Sequence, residues 1–302
     1  MYHLKTIFPA IHKVKIPVSR DQLFLLMAAI NEIFLGIDIY LAHMVSGTIV
    51  PREWIPIIFG PVAGVLLLLA GLLALKRRGI ATIIANIVFV LSILVGLLGA
   101  YFHIIRGILP SGPSGQQVSV NLLVWAPPIV GPLVFSLVGL IGLSAAWVES
   151  PADSGRLIFF GERSLQLPYS KTRAYFFMVS LGTLATLLSS VLDHARTPFT
   201  NLWLWLPVAI GVFAVIVSAA IAIFEHPTRA DLIVYVSAMV LLIGVGVIGA
   251  VLHVNQDLTA QGVLVQERFI RGAPILAPLL YANMGALGLI ALLDPDETKT
   301  NN

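Results

Sequence analysis

The chain has 302 residues, and its composition excludes the two soluble domains that this length would otherwise suggest. Hydrophobic residues make up 58% of it and charged residues only 11%, whereas soluble domains carry about 25% charged residues, so most of the outer surface must face lipid. Its net charge of +3 forms no basic patch that would favour nucleic acid, and the absence of cysteine excludes disulfides and thiolate metal sites.

The apolar stretches predict an all-α polytopic membrane protein. A helix needs about 20 apolar residues to cross the hydrocarbon layer. In chain order we expect eight transmembrane helices, over about 23–44, 54–75, 79–103, 121–147, 174–194, 202–224, 231–253 and 272–293. The fourth is expected to begin near Asn121 because residues 109–115 are rich in proline, glycine and serine, which favour turns.

The distribution of lysine and arginine predicts the orientation. With eight spans, 13 of these 18 residues lie on the side that holds both termini. The other five are Arg52, Arg106, Arg196, Arg268 and Arg271. The positive-inside rule then places both termini in the cytoplasm. We expect a multi-pass protein of a bacterial or archaeal cytoplasmic membrane.

An internal repeat runs through the predicted helices. The pattern Gly-x-x-Gly-Ala-x-x-His ends the third helix at His103 and the seventh at His253, 150 residues later. Helices four and eight both begin Pro-Ile-x-small-Pro-Leu, at Pro128 and Pro274. We therefore expect a tandem duplication of a four-helix unit, with units at 1–148 and 173–302 and a cytoplasmic linker at 149–172. An even number of spans per unit gives both units the same orientation.

Four histidines occupy the outer ends of the odd-numbered helices, namely His43, His103, His194 and His253. Neutral imidazole is a common ligand of haem iron, copper and other transition metals. Two pairs, one in each unit, would hold two b-type haems, whereas convergence of all four would hold one metal such as copper. The alternative is that these histidines are interface residues that interact with helix C-terminal dipoles.

Small residues and arginines accompany these histidines. In a helix, positions i−4 and i−7 share a face with position i, which places Gly99 and Gly96 below His103, and Gly249 and Gly246 below His253. These glycines would leave room for a macrocycle, or they would let two helices pack closely without any cofactor. Three outer arginines could pair with haem propionates: Arg106, Arg196 and Arg271.

The four histidines follow one another at intervals of 60, 91 and 59 residues. This rhythm resembles the haem A synthase family, which also has eight helices in two tandem halves with a histidine pair in each. In that family the histidines begin the even helices, whereas here they end the odd ones. The family's outer-loop cysteines and glutamate signature have no counterpart in this chain. The resemblance therefore concerns architecture and implies no activity or residue role.

Two acidic residues interrupt the first apolar stretch. Glu32 lies eleven residues before His43, about three helical turns deeper on the same face. A carboxyl group in the membrane is costly and marks a functional hypothesis, so Glu32 and Asp38 are candidates for a proton or quinol relay towards His43. The alternative for Glu32 is an interhelical hydrogen bond. Asp38 and Asp193 would orient an imidazole or would simply lie at the interface.

Prolines crowd the starts of the even-numbered helices. The second proline of each set lies one turn inside and should kink the helix or free a carbonyl group; these residues include Pro61, Pro132 and Pro278.

Together these features predict an integral membrane redox protein. It would bind haem b, or alternatively copper, and pass electrons between a quinol and an extracytoplasmic acceptor. No nucleotide-binding glycine loop occurs, so we do not expect ATP as a partner. The alternative function is a non-catalytic membrane subunit or a transporter-like protein that packs against other membrane subunits.

Overall fold

The computed structural model describes residues 4–7, 18–45, 47–107, 115, 124–125, 127–159, 163–196, 199, 201–259 and 262–294. Within these ranges the chain forms eight long apolar helices, which we number α1 to α8. Their bounds are Arg20–Met44, Trp54–Ala74, Arg78–Gly107, Val130–Ala146, Lys171–His194, Trp205–Ile223, Arg229–Asp257 and Leu276–Ala291. Two short helices, Leu4–Ile7 and Gln266–Arg271, lie outside this numbering.

Six of the eight helices are long and apolar enough to cross a bilayer: α1, α2, α3, α5, α6 and α7. The other two, α4 and α8, are apolar but have only 17 and 16 residues. Large apolar side chains point outwards along the bundle, among them Leu72 at 67% exposure and Ile216 at 62%. A water-soluble protein does not expose so many side chains of this kind. The fold is compatible with an all-α multi-pass membrane protein.

Odd and even helices begin in different ways. Polar side chains cap three of the four odd ones: Ser19 accepts a hydrogen bond from the Gln22 amide in α1, Ser170 caps α5, and Thr228 caps α7. Such caps satisfy amide groups that have no partner within the helix. Helices α2 and α6 instead continue from the 3-10 turns Pro51–Glu53 and Leu202–Leu204.

The fourth long helix begins at Val130, so the expectation of one continuous helix from about residue 121 is wrong. Pro127 and Pro128 are not helical. Proline restricts the residue before it to extended conformations, and this pair ends any helix that comes from upstream. Asn121 itself lies outside the described residues.

The linker forms a small antiparallel sheet, which the sequence did not indicate. Its strands are β1 (Val148–Glu149), β2 (Arg156–Ile158) and β3 (Ser164–Gln166), with β2 in the middle. Leu157 pairs with Glu149 on one side and with Leu165 on the other. The Glu149 carboxylate accepts hydrogen bonds from the amides of Gly155 and Lys171, which ties the sheet to the start of α5.

Each set of four helices packs in the same cyclic order. In the first set, α1 contacts α2, α2 contacts α3, α3 contacts α4, and α4 contacts α1. The second set repeats this with α5, α6, α7 and α8. The two sets meet where α4 contacts α5 and where α8 contacts α1. Helices α1, α4, α5 and α8 therefore form the centre of the bundle, and α1 and α3 lie at opposite corners of one set, as α5 and α7 do in the other.

A buried polar cluster joins the two sets near the linker. The Lys171 ammonium donates hydrogen bonds to Asp21 and to the Trp147 carbonyl, both at 2.6 Å. Arg20, only 2% exposed, donates to Thr172 at 2.7 Å. Lys171 lies 151 residues after Arg20, so equivalent cations at the starts of α1 and α5 each reach across to the other set.

This cluster predicts a large effect of removing one buried charge. We expect Lys171→Met to remove the ion pair with Asp21, which keeps only Tyr175 and Arg20 beside it, and to leave the Trp147 carbonyl unpaired, which lowers stability by about 1–3 kcal/mol. The measurement is the apparent melting temperature in detergent. The exposed Lys76 provides the control, since Lys76→Met should change little. Equal melting temperatures for both variants would contradict a stabilising role for the cluster.

Candidate functional site

The four predicted histidines lie near the ends of α1, α3, α5 and α7, and the structure brings them together as two pairs. The ring centres of His43 and His103 are 6.2 Å apart, and those of His194 and His253 are 6.4 Å apart. We call this end of the bundle the histidine end. Each pair belongs to one set of four helices and joins two helices at opposite corners of it.

Each imidazole has its Nδ1 atom 2.8 Å from a backbone carbonyl oxygen. The acceptors are Ile39 for His43, Pro128 for His103, Ser190 for His194 and Pro274 for His253. Because a carbonyl oxygen can only accept, Nδ1 must carry a proton in all four rings. The lone pair of the neutral imidazole is then on Nε2. This is how metal-binding histidines are usually oriented.

Prolines supply the acceptors for His103 and His253. In a helix, the carbonyl of residue i accepts from the amide of residue i+4, and proline has no amide hydrogen. Pro132 therefore leaves the Pro128 carbonyl without a helical donor, and Pro278 does the same for Pro274. The two imidazoles donate to these freed oxygens. The sequence indicated that these prolines would free carbonyl groups. The freed carbonyl groups hold the histidine rings.

The separation within each pair suits two imidazoles on opposite sides of one metal ion. Metal–nitrogen bonds of about 2.0 Å on both sides place the ring centres about 6 Å apart. Among the described residues, no three histidine, aspartate or glutamate side chains form a ligand group for a metal ion. Each pair by itself therefore supplies two imidazole nitrogens.

Glu53 is a member of the site that sequence reasoning missed. Its Oε1 atom lies 4.0 Å from His43 Nε2 and 3.6 Å from Arg106, and its other oxygen accepts from the Val50 amide. The available signal was that Glu53 is the one acidic residue between the first two predicted helices. It compensates the charge of Arg106 beside the first histidine pair.

The three arginines that were expected to meet propionates have protein partners. Arg106 pairs with Glu53, Arg196 donates to the Val124 carbonyl and lies 3.6 Å from Asp193, and Arg271 pairs with Glu267 one turn earlier. Arg106 and Arg271 stay more than half exposed, so these two ion pairs cost little to exchange.

The glycines below the histidines have no open space beside them. A β-carbon at Gly96 would lie 2.8 Å from the Pro132 carbonyl, and one at Gly99 would collide with the Pro132 ring. Gly246 and Gly249 meet Pro278 in the same way. The predicted room for a macrocycle beside these four residues is therefore filled by α4 and α8. Their role in the fold is to let the helix pairs approach closely.

Glu32 is fully buried inside the first set of helices. Its Oε1 atom is hydrogen-bonded to Ser92 Oγ, which also lies 2.8 Å from the Phe135 carbonyl. Ser92 has one hydroxyl proton for these two contacts. A protonated Glu32 carboxyl group would supply a second proton and satisfy both, and we expect this form. The interhelical hydrogen bond considered as the alternative for Glu32 is present.

Asp38 lies in the second half of α1, and Asp193 lies at the end of α5. The acceptors at the histidine Nδ1 atoms are carbonyl groups, so neither aspartate holds an imidazole through that atom. Asp193 also faces Arg196. The proton-relay role of Asp38 remains a prediction.

No family model matches this chain, and no curated protein or solved structure shows significant similarity to it.

The protonation of Glu32 predicts an infrared signature. We expect a carbonyl stretching band of a protonated carboxyl group that is lost in Glu32→Gln, because the amide retains the shape and can donate to Ser92. The exposed Glu225 serves as the control, and Glu225→Gln should leave the band unchanged. A band that survives in Glu32→Gln would contradict this assignment.

The glycine contacts predict opposite effects for two neighbours on α7. Gly246→Ala places a methyl group 2.5 Å from the Ala282 amide nitrogen, whereas Gly244 has open space around it. We expect Gly246→Ala to destabilise by about 1–3 kcal/mol through overpacking. Gly244→Ala should be neutral or stabilising by about 0.5–1 kcal/mol. Thermal melting in detergent compares them, and a stable Gly246→Ala protein would show that α7 and α8 are not tightly packed.

Proposed function

We propose that this protein is an integral membrane redox protein that binds b-type haem through His43 and His103 in one half and through His194 and His253 in the other. The observation that carries the proposal is the repeated geometry of the two pairs. Both have ring centres 6.2–6.4 Å apart, and all four Nδ1 atoms are hydrogen-bonded to carbonyl oxygens.

Haem is favoured over copper because each pair offers only two imidazoles. Bound haem would supply four ring nitrogens and an iron that carries one electron at a time. The four histidines would hold it, and their Nδ1 hydrogen bonds would orient the rings. Arg106 and Arg271 stay exposed at the histidine end, where they would receive propionates, as Arg196 would after releasing Asp193.

The architecture proposed for this function has eight transmembrane helices, formed by duplication of a four-helix unit. The two units make equivalent contacts, which supports this. A β-carbon at Gly139 would meet the Phe89 carbonyl and Ile93, and one at Gly285 would meet the Met239 carbonyl and Ile243. These partners are 146 residues apart in α4 and α8 and 150 apart in α3 and α7.

The charge distribution supports an orientation with both termini in the cytoplasm, and the membrane we propose is the cytoplasmic membrane of a bacterium or archaeon. The histidine end then faces the extracytoplasmic side. Electrons would pass there between a quinol in the bilayer and an extracytoplasmic acceptor. Glu32 and Asp38, both in α1, are the proposed groups that take up protons.

A second candidate is a non-catalytic membrane subunit, or a transporter-like protein, in which the histidines only join helices. The specific observation in its favour is the close contact at Gly96, Gly99, Gly246 and Gly249. In this case His103 and His253 serve to satisfy the carbonyl groups freed by Pro132 and Pro278.

The absorbance spectrum of the purified protein distinguishes the two candidates. The redox function predicts a Soret band and two haems per chain. Because each pair holds its haem separately, His103→Ala and His253→Ala should each lose about half of it, and the double variant should lose nearly all. Bound copper without a Soret band would select the metal alternative.

His226 provides the matched control, since it lies near the linker in the loop between α6 and α7. His226→Ala should keep the full haem content. Protein that purifies without haem, iron or copper, and that cannot be reconstituted with haem, would contradict the redox function and favour the subunit.

A further inference from the structure

A groove of about 300 Å³ lies between α1 and α8, where the two sets of helices meet. Its walls are mostly apolar and include Met27, Phe34 and Leu280. Phe34 is 51% exposed and Leu279 is 36% exposed, so the groove is open towards the lipid-facing surface. Its volume is at the lower end of the range for small-molecule sites.

Three polar side chains line this apolar groove: Asn31 and Asp38 from α1 and Asn283 from α8. Asn31 lies near the middle of α1, and Asp38 lies about 10 Å closer to the histidine end. Within the part of the chain that the structure describes, none of the three side chains donates or accepts a hydrogen bond. Lipid tails cannot supply partners at this depth, and a polar group left unpaired there is costly.

The opposite contact between the two sets, α4 with α5, provides an internal comparison. At the repeat offsets, Asn31 corresponds to Gly182, Asn283 to Leu137 and Asp38 to Ser189. A β-carbon at Gly182 would collide with Leu137, so that contact is closed and apolar where the groove is open and polar. The two sets can therefore pack together without polar residues at these positions, so packing alone does not explain Asn31, Asn283 and Asp38.

We propose that this groove binds a hydroquinone or quinone from the bilayer. The inference deepens the proposed redox function, which needs a lipid-soluble electron donor, and it rests on that function for its biological meaning. The ring would lie against the apolar walls. Its oxygens would exchange hydrogen bonds with the amide groups of Asn31 and Asn283, which both donate and accept and so suit both redox forms.

The position of the polar groups separates a quinone from other occupants. An acyl chain has no group that can pair with an amide. A phospholipid headgroup stays at the interface, whereas Asn31 lies in mid-span. Asp38 extends the polar side of the groove towards the histidine end. Its carboxylate can accept a hydrogen bond there from a hydroxyl group of the hydroquinone.

Photolabelling of the full-length protein in nanodiscs tests this site without relying on haem. The probe is an arylazido-ubiquinone, with decylubiquinone as competitor and oleate as a lipid control. We expect label on α1 between residues 27 and 38 and on α8 between residues 276 and 286, displaced by decylubiquinone and not by oleate. The double variant Asn31→Leu/Asn283→Leu should reduce labelling about tenfold or more, because it removes both amides.

Asn255→Leu is the matched control, since Asn255 is exposed on α7 and lies away from the groove. It should label like the unchanged protein. The leucine variants keep side-chain size in a lipid-facing groove, and their monodispersity and melting temperature show that they fold. Label elsewhere, equal displacement by oleate, or full labelling of the folded double variant would overturn the proposal.

The same experiment separates this proposal from the proposed function. Displaceable labelling of a protein that binds no haem would uphold the quinone groove and contradict only the haem assignment. A protein that holds two haems but shows no label in the groove would contradict the quinone site alone.

Discussion

The shortage of hydrogen-bond partners inside a hydrocarbon layer is the constraint that shapes most of this structure. Without water, each polar group must pair within the protein or bear the cost of remaining unpaired. The buried cluster of Arg20, Asp21 and Lys171 meets this constraint where the two sets of helices join. Glu32 meets it with one carboxyl oxygen, through Ser92, while its Oε2 atom is buried without a partner. Asn31 and Asn283 make no hydrogen bond within the described part of the chain, and the proposed quinone would supply one.

The same constraint links the prolines of α4 and α8 to the histidines. A proline one turn inside a helix leaves a carbonyl group without its helical donor. In a soluble protein water would satisfy it, but here His103 and His253 do so. The backbone defect and the imidazole orientation are therefore one feature. It appears in both halves, which makes the two histidine pairs alike in geometry although their surroundings differ.

The two halves differ in several polar residues. Glu32 and Ser92 of the first half correspond to Thr183 and Leu242 in the second, and Thr183 only donates back to the Val179 carbonyl of its own helix. Glu53 beside His43 corresponds to Leu204. The polar groove likewise has a closed counterpart. Glu32 and Glu53 therefore have no acidic counterpart in the second half, whereas both halves have a histidine pair.

Sequence patterns predicted the apolar helices, because runs of about 20 apolar residues are typical of membrane spans and rare in water-soluble folds. They also drew attention to the four histidines, since each ends an odd-numbered predicted helix, and the structure places them in two pairs. The role of Gly96 and Gly246 was not predictable in this way, because the same small residues serve an open groove or a tight helix contact. The structure shows a tight helix contact, because Pro132 and Pro278 fill the space beside these glycines. The role of Glu53 was not predictable because its ion pair with Arg106 joins residues that are far apart in the chain. The start of α4 and the linker sheet likewise depend on backbone restrictions and tertiary contacts that a hydropathy pattern does not contain.

Each histidine pair is proposed to hold one metal between two imidazoles, and electron paramagnetic resonance of the oxidised, haem-loaded protein is the sharpest test of this geometry. We expect low-spin ferric signals typical of two axial imidazoles, integrating to two irons per chain. High-spin ferric signals from iron with a single protein ligand, or no ferric haem signal after reconstitution, would contradict it.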